Sequence, residues 1–178
     1  TTKDYSEATR YYMNKSSLPK VVGGFNTNVS FKNFDMSILM NFSFGSYLYD
    51  SVYASLMNGF ESPGRNGHPN LKNRWQNPGD KTDVPLFLNE QNDFNATSSR
   101  FLFKNNYLRV RGLNLGYTFD ENWMENYQIQ GLRVYLQGDN IFTFQSHKGI
   151  DPEQALSGLT NNRSHQMKTI SLGINVQL

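Results

Sequence analysis

Arg74-Trp75, followed by Asp80 and Asp83, is the segment whose residue types come nearest to chemistry. An indole face stacks on a sugar ring, and Arg and Asp hydrogen-bond hydroxyl groups in fixed geometry. Against that reading, Asn77-Pro78-Gly79-Asp80 is turn chemistry, which a loop requires for architecture alone. Architecture carries more weight for these residues than ligand contact. Asp80 and Asp83 offer two oxygen ligands to a Ca²⁺, but nothing evident supplies the roughly four or more that remain. His68, His147 and His165 lie far apart, with no His-Glu-x-x-His spacing and no paired carboxylate nearby. There is no cysteine, which excludes disulfides and thiolate metal sites. No nucleophile–base–orienter set can be assembled, so neither catalytic residues, metal nor cofactor is expected, and an enzyme is disfavoured.

The elements around this segment begin with a helical stretch over 47–58. Leu48, Val52 and Leu56, with Tyr49 and Tyr53, follow i, i+4 spacing; Ser46 could cap its start and Gly59 its end. Tyr53 could thus face a partner or substrate. The plainer alternative, a loop packing its own small core, is favoured. Asn14, Asn28, Asn41, Asn95 and Asn162 open Asn-x-Ser/Thr triplets. Those at Asn28 and Asn41 fall on polar strand positions and follow from Asn and Ser alternating there.

Charged residues make up 18% of the 178 residues, against about 25% in an ordinary soluble domain. The chain also carries 22 Asn, 13 Phe, 10 Tyr and 14 Gly, a composition of strands and turns. Net charge is +2 with both signs interspersed, which leaves no footprint for nucleic acid. No apolar run approaches the ~18 residues of a membrane-spanning helix.

Period-two alternation dominates. Ile170, Leu172, Ile174, Val176 and Leu178 alternate with Thr169, Ser171, Gly173, Asn175 and Gln177, giving a strand with one oily and one wet face. Phe34, Met36, Ile38, Met40, Phe42 and Phe44 repeat the pattern; so do Phe25, Val29 and Phe31, and Leu132, Val134, Leu136, Phe142 and Phe144. Segment 107–119 changes phase near Gly112, where a bulge would do this. Strands are expected over about 21–32, 34–46, 106–119, 131–144 and 166–178, with long loops over 47–98 and 145–165.

Alternation fits a soluble sandwich or a barrel whose apolar face meets lipid. Three features favour an all-β, transmembrane antiparallel barrel. The strands run ~11–14 residues, against a soluble mode of ~5–6 and ~9–11 for lipid-spanning strands. Lys32-Asn33 is a tight turn on one side, whereas the connections after Phe44 and Phe144 are long. The aromatics also sort by height. With the long loops outside, Phe25, Phe42, Phe44, Phe142 and Phe144 fall near the outer rim, and Phe31, Phe34, Tyr117 and Phe119 near the inner one. Met36, Ile38, Val134, Leu136, Leu172 and Ile174 fill the band between these two girdles. Strand directions alternate if Arg100–Phe103 extends the third strand, and Tyr5–Met13 is expected to top a preceding one. Five or six strands cannot close a barrel, and open edges are forbidden in lipid. The remainder of a larger barrel is therefore expected as a partner.

Several stretches resemble the late-barrel pattern of the SusC/RagA family of TonB-linked outer-membrane transporters. They are Leu18-Pro19-Lys20 with Gly23-Gly24-Phe25, Phe31-Lys32-Asn33-Phe34-Asp35, the run 74–85, the run 107–119, Arg133-Val134-Tyr135 with Asp139-Asn140-Ile141-Phe142-Thr143, and Gly149-Ile150-Asp151-Pro152-Glu153. They occur in order across nearly the whole chain. The resemblance implies that residues 1–178 are the C-terminal portion of a 22-stranded, plugged barrel in a bacterial outer membrane. It also implies import of oligosaccharides, or of peptides, with a SusD-like surface lipoprotein as lid and TonB as energy source. Plug and TonB contacts would lie outside these residues. Arg74, Trp75, Asp80 and Tyr53 then become candidate contacts to ligand or lid. The family commonly ends in an aromatic residue, and here the last is Leu178. A soluble carbohydrate-binding module and a passive porin-like channel stand as alternatives.

Overall fold

The computed structural model describes residues 4–58, 64, 66–86, 96–120, 129–153, 156–160 and 164–178. Gly59, Asn95 and Asn162 lie outside these residues. The chain divides into two compact units. One holds Leu18–Ser46, Lys104–Glu153 and Arg163–Leu178; the other holds Thr1–Ser17, Tyr47–Phe103 and Gln154–Asn162.

The first unit is a five-stranded antiparallel sheet. Its strands are β1 (Val21–Phe31), β2 (Phe34–Phe44), β5 (Tyr107–Thr118), β6 (Gly131–Gln145) and β7 (Thr169–Gln177), in the order β1-β2-β5-β6-β7. Two short strands, β3 (Tyr47–Tyr49) and β4 (Leu102–Lys104), form a separate two-stranded sheet, and Tyr49 of β3 also bridges Leu159 in parallel. β1 and β2 pair without interruption from Val21↔Phe44 to Phe31↔Phe34 around the two-residue turn Lys32-Asn33. Lys32 takes the left-handed conformation there (φ 54°). The Asn33 side chain donates to Thr118 O and to Asp120 Oδ1, each at 2.7 Å, which ties the turn to the end of β5.

The phase change in β5 comes from stepped bulges. Leu39 pairs with Gly112 and Met40 with Val110, so β5 carries one extra residue, Arg111, against β2. Val110 pairs with Phe142 and Gly112 with Asp139, so Asn140 and Ile141 of β6 together face Arg111. Asn140 is left-handed (φ 53°). One extra residue turns the side chains of β5 over at this level, and two restore those of β6. Hence β5 changes phase, while even-numbered residues of β6 take the same face on either side of the bulge.

Several boundaries differ from the sequence expectations. Leu102–Lys104 is a strand of its own rather than an extension of β5, because Asn105 and Asn106 turn the chain away. Asn105 N–H donates to Ser46 O at 2.9 Å, and Asn106 Oδ1 accepts from Gly45 N at 2.8 Å. The five long strands alternate without it. The stretch expected as one helix is β3 followed by α1 (Ser51–Leu56). Its cap is Asp50, whose Oδ1 accepts from Tyr53 N at 2.8 Å; Ser46 is buried and donates to Asn105 O instead. Tyr5–Met13 forms a 3-10 turn over Tyr5–Glu7 and no strand beyond it.

The second unit packs around Ala54, Met57, Val84 and Phe101, with Tyr49, Tyr53, Leu71 and Phe103 against them. Thr160 clips part of the second long loop onto this core: its hydroxyl accepts from Ser51 N at 2.9 Å and meets Asp50 Oδ1 at 3.2 Å.

Candidate functional site

The sheet's two faces differ in chemistry from one end to the other. One face carries Phe42, Leu108 and Phe144 across from Gly23; then Phe25, Met40, Val110 and Phe142; then Thr27, Ile38 and Leu113. Below these come Val29, Met36, Leu115, Leu136 and Leu172, and then Phe31, Phe34, Tyr117, Val134 and Ile174. Aromatic rows therefore bound an aliphatic band. Ring centroids of Phe34 and Tyr117 lie 4.7 Å apart and those of Phe42 and Phe44 5.6 Å apart, both tilted, and Tyr117 meets Phe119 edge-on at 4.9 Å. Val134 and Ile174, expected in the aliphatic band, instead share the row of Phe31, Phe34 and Tyr117. Nothing in the described residues covers this face: Ile170, Leu172 and Leu178 keep 70%, 73% and 83% of their surface exposed. From Phe42 to Phe34 is ~27 Å along the strand at ~3.4 Å per residue. Tilted by ~40° that becomes ~21 Å, close to the ~25 Å of a barrel's lipid-facing band.

The opposite face is polar and cross-linked. Arg133 on β6 reaches over β5 to Asp35 on β2, with Nε to Oδ1 at 2.9 Å and Nη2 to Oδ2 at 2.6 Å, while Asn114 Oδ1 accepts from Nη2 at 3.2 Å. The pair passes over Gly116, where any Cβ would collide with the guanidinium and the carboxylate. Gly173 makes room in the same way for the ring of Tyr135. A glycine on β5 thus permits an ion pair to span three strands.

At the long-loop end this face carries a second network. Arg109, buried, bonds Asp151 and Glu153 at 3.0 Å each and Thr143 Oγ1 at 3.0 Å. Arg111 bonds Glu153 at 2.7 Å, and Asn41 Nδ2 donates to Glu153 Oε1 at 2.8 Å. Gln166 closes the ring, its N–H donating to Asp151 and its Nε2 to Glu153. Burial alone would push the Asp151 carboxyl up. The N–H groups of Glu153 and Gln166 and the Arg109 guanidinium outweigh it and hold the carboxyl below its usual range. Cations and carboxylates match here, so the network fastens the loop after β6 onto the polar face. Its signal was present in the sequence as Arg109-x-Arg111 on alternate strand positions and Asp151-x-Glu153 at the same spacing. The five residues 149–153 entered the sequence reading only through resemblance.

The structure keeps two of the four loop candidates together and sets Trp75 and Tyr53 apart from them. Arg74 and Asp80 line one open cleft together with Lys72, Lys81 and Asp83. Trp75 is absent from that lining; it is half-buried, and its N–H donates to Val84 O at 2.9 Å. Asp80 Oδ2 accepts from Gln76 N and Asn77 N at 2.9 Å, closing the turn in which Gly79 is left-handed (φ 103°). Those two N–H groups, Asn77 first, hold its carboxyl below the usual range. Tyr53 belongs to the loop's core, edge-on to His68 at 4.7 Å and to Phe101 at 6.0 Å, with its hydroxyl accepting from Asn70 Nδ2 at 2.9 Å. His68 Nδ1 accepts from Asn70 N, a cap rather than a metal ligand. Among the described residues no three His, Asp or Glu side chains gather as a metal site, and no helix is long and apolar enough to cross a membrane.

No family model matches the chain. Individual relatives do. TonB-dependent receptor SusC of Bacteroides thetaiotaomicron is 30% identical over 169 residues, covering 93% of this chain and 16% of its own length. TonB-dependent receptor P3 of Formosa agariphila is 26% identical over 170 residues, again covering 16% of its length. The chain thus spans about a sixth of the curated relatives it matches. Among solved structures, the RagAB peptide importer in its closed-closed state superposes over 95% of this chain and 19% of its own, with a TM-score of 0.77 and 25% identity. The relatives are receptors and importers, and none is named as an enzyme.

Proposed function

Because this chain is of the SusC/RagA type, an all-β piece of a TonB-dependent outer-membrane barrel, we propose that it forms a stretch of wall in an active importer of oligosaccharides or peptides. The apolar face meets outer-membrane lipid, and the polar face lines the lumen. The segments after β2 and β6 are extracellular. β1 and β7 are the outer strands of the sheet and pair with the remainder of the same barrel. A SusD-like lipoprotein closes the barrel from outside, with the Arg74–Asp83 cleft as its contact or the substrate's. TonB acts through a plug elsewhere in the protein. The chain's own work is closure and lining, not catalysis.

The observation that carries this reading is the sorting of the exposed face into aromatic, aliphatic and aromatic rows. A sandwich core buries its inner face against a second sheet and has no reason to arrange residues by height. Lipid has such a reason, because rings favour the interface and aliphatic chains the interior. The full protein containing this chain is expected to stay monodisperse in detergent and to aggregate when detergent is withdrawn. Monodispersity in plain buffer would remove the barrel reading.

A further inference from the structure

Four residues on the polar face form one cross-strand row: Asp35 on β2, Gly116 on β5, Tyr135 on β6 and Gly173 on β7. Tyr135 is therefore flanked by a glycine on either side. Neither glycine leaves empty space. A Cβ at Gly116 would run into Asp35 and Arg133, which meet above it. A Cβ at Gly173 would run into Cζ, Cε1 and the hydroxyl oxygen of Tyr135, so the far end of the phenol lies over β7. Arg133 and Tyr135, two residues apart on β6, thus leave the strand in opposite directions, one towards β2 and the other across β7. The guanidinium carbon of Arg133 stands 5.0 Å from the centroid of the Tyr135 ring, a cation–π contact.

A bare ring is enough to cover a strand glycine, and Phe42 does so over Gly23 on the apolar face. Tyr135 adds a hydroxyl, for which no hydrogen bond is found among the described residues. β7 pairs with β6 alone and ends the sheet. Its other edge must also pair if the sheet lies in lipid, because open edges are forbidden there. Directly opposed residues carry Cβ atoms about 4.5–5.5 Å apart. The Tyr135 hydroxyl stands where a Gly173 Cβ would be, so a polar side chain opposite Gly173 comes within its hydrogen-bonding reach. The geometry points to Tyr135 as a donor across the barrel seam. Its hydroxyl bonds an acceptor side chain, a carboxylate or a carboxamide, on the barrel strand that joins the open edge of β7. Arg133 and Asp35 supply the pattern within this sheet: two side chains meet over the glycine of the strand between them, and an acceptor of Asp length reaches back far enough. The inference rests on the reading of the chain as barrel wall.

The test uses the intact transporter in detergent. Tyr135→p-benzoylphenylalanine places a photoreactive carbonyl close to the position of the hydroxyl. Irradiation is expected to join it to a peptide from the strand beside β7, at or next to the residue opposite Gly173, as read by mass spectrometry. Y135F keeps the ring and loses the donor. At the wild-type midpoint of heat-modifiable gel mobility, its ratio of folded to unfolded protein should fall about fivefold, the share of one hydrogen bond. Replacing the cross-linked acceptor by an apolar residue of similar size should cost as much, and the double variant no more than either single one. Cross-links that never reach that strand would overturn the proposal, as would an unchanged ratio in Y135F or additive losses in the double variant. Should the benzoyl ring prevent assembly, the Y135F cycle is run against each Asp, Glu, Asn and Gln on the polar face of that strand, and additivity at every one overturns it. A wild type with no heat-modifiable barrel sinks the wall reading itself, whereas a normal barrel indifferent to Y135F sinks only the seam contact.

Discussion

Phe101 is fully buried among Ala54, Met57 and Val84, whereas Phe144, Leu172 and Ile174 each leave more than half of their surface uncovered. Both groups belong to one chain of low charge, yet they answer to different solvents. The loop unit hides its apolar side chains in a small core, as a protein in water does. The sheet turns its apolar side chains outward in ordered rows and keeps hydrogen bonds and ion pairs on the other face. On the proposed reading, the contrast separates a part built to face water from a part built to face lipid.

The most damaging way to break this contrast is a charge on the exposed apolar face. Leu172 sits opposite Leu136 in the aliphatic band, and Ser171 opposite Gln137 on the polar face. Leu172→Asp is expected to abolish most barrel assembly, judged by heat-modifiable mobility of the full protein, while Ser171→Asp assembles like the wild type. Midplane Arg or Lys on a lipid face costs about 2–4 kcal/mol and acids somewhat less. Equal behaviour of the two variants would remove the assignment of faces.

Phe101→Ala tests the other half of the comparison. Truncating a fully buried Phe typically costs about 3–5 kcal/mol. The loss should fall on the loop unit, because Phe101 packs there against Tyr49 and Tyr53 at 6.2 and 6.0 Å. The expected result is faster proteolysis between residues 47 and 103 in a barrel that still assembles. A variant that lost assembly and loop protection together would show that the loop core also supports the wall.

Much of the wall was legible because period-two alternation records which face each side chain takes, and the paired long strands kept that record over nine to fifteen residues. Even the bulge left a trace, as the change of phase near Gly112. Its location at Arg111, and its second step at Asn140, needed the pairing partners. The loop unit was harder to read. Its i, i+4 pattern over 47–58 mixed strand and helix residues, because Leu48 and Tyr49 serve a short ladder and Tyr53 a core assembled from distant residues. Trp75, Arg74 and Asp80 looked like one site in sequence. Arg74 and Asp80 do share a cleft, with Asp80 also closing its own turn, while Trp75 stays out of it.

Asp80 supplies the smallest of the expected effects and sharpens the contrast at a single carboxylate. Its group and that of Asp151 are both held below the usual range, but the first is exposed and bonded to two backbone N–H groups, while the second is buried beside a guanidinium. A depressed carboxyl stabilises the fold above its ordinary value near 3.8 and loses that contribution as pH falls through its lowered value. Acid should therefore loosen the 76–80 turn, read as new protease sensitivity at an acid-tolerant enzyme's cleavage sites in the loop. Asp80→Asn should remove that acid response and leave barrel assembly unchanged, because an amide oxygen still accepts the N–H groups without titrating. An acid response that persisted in Asp80→Asn would place its origin at another depressed carboxyl, Asp4 or Asp151.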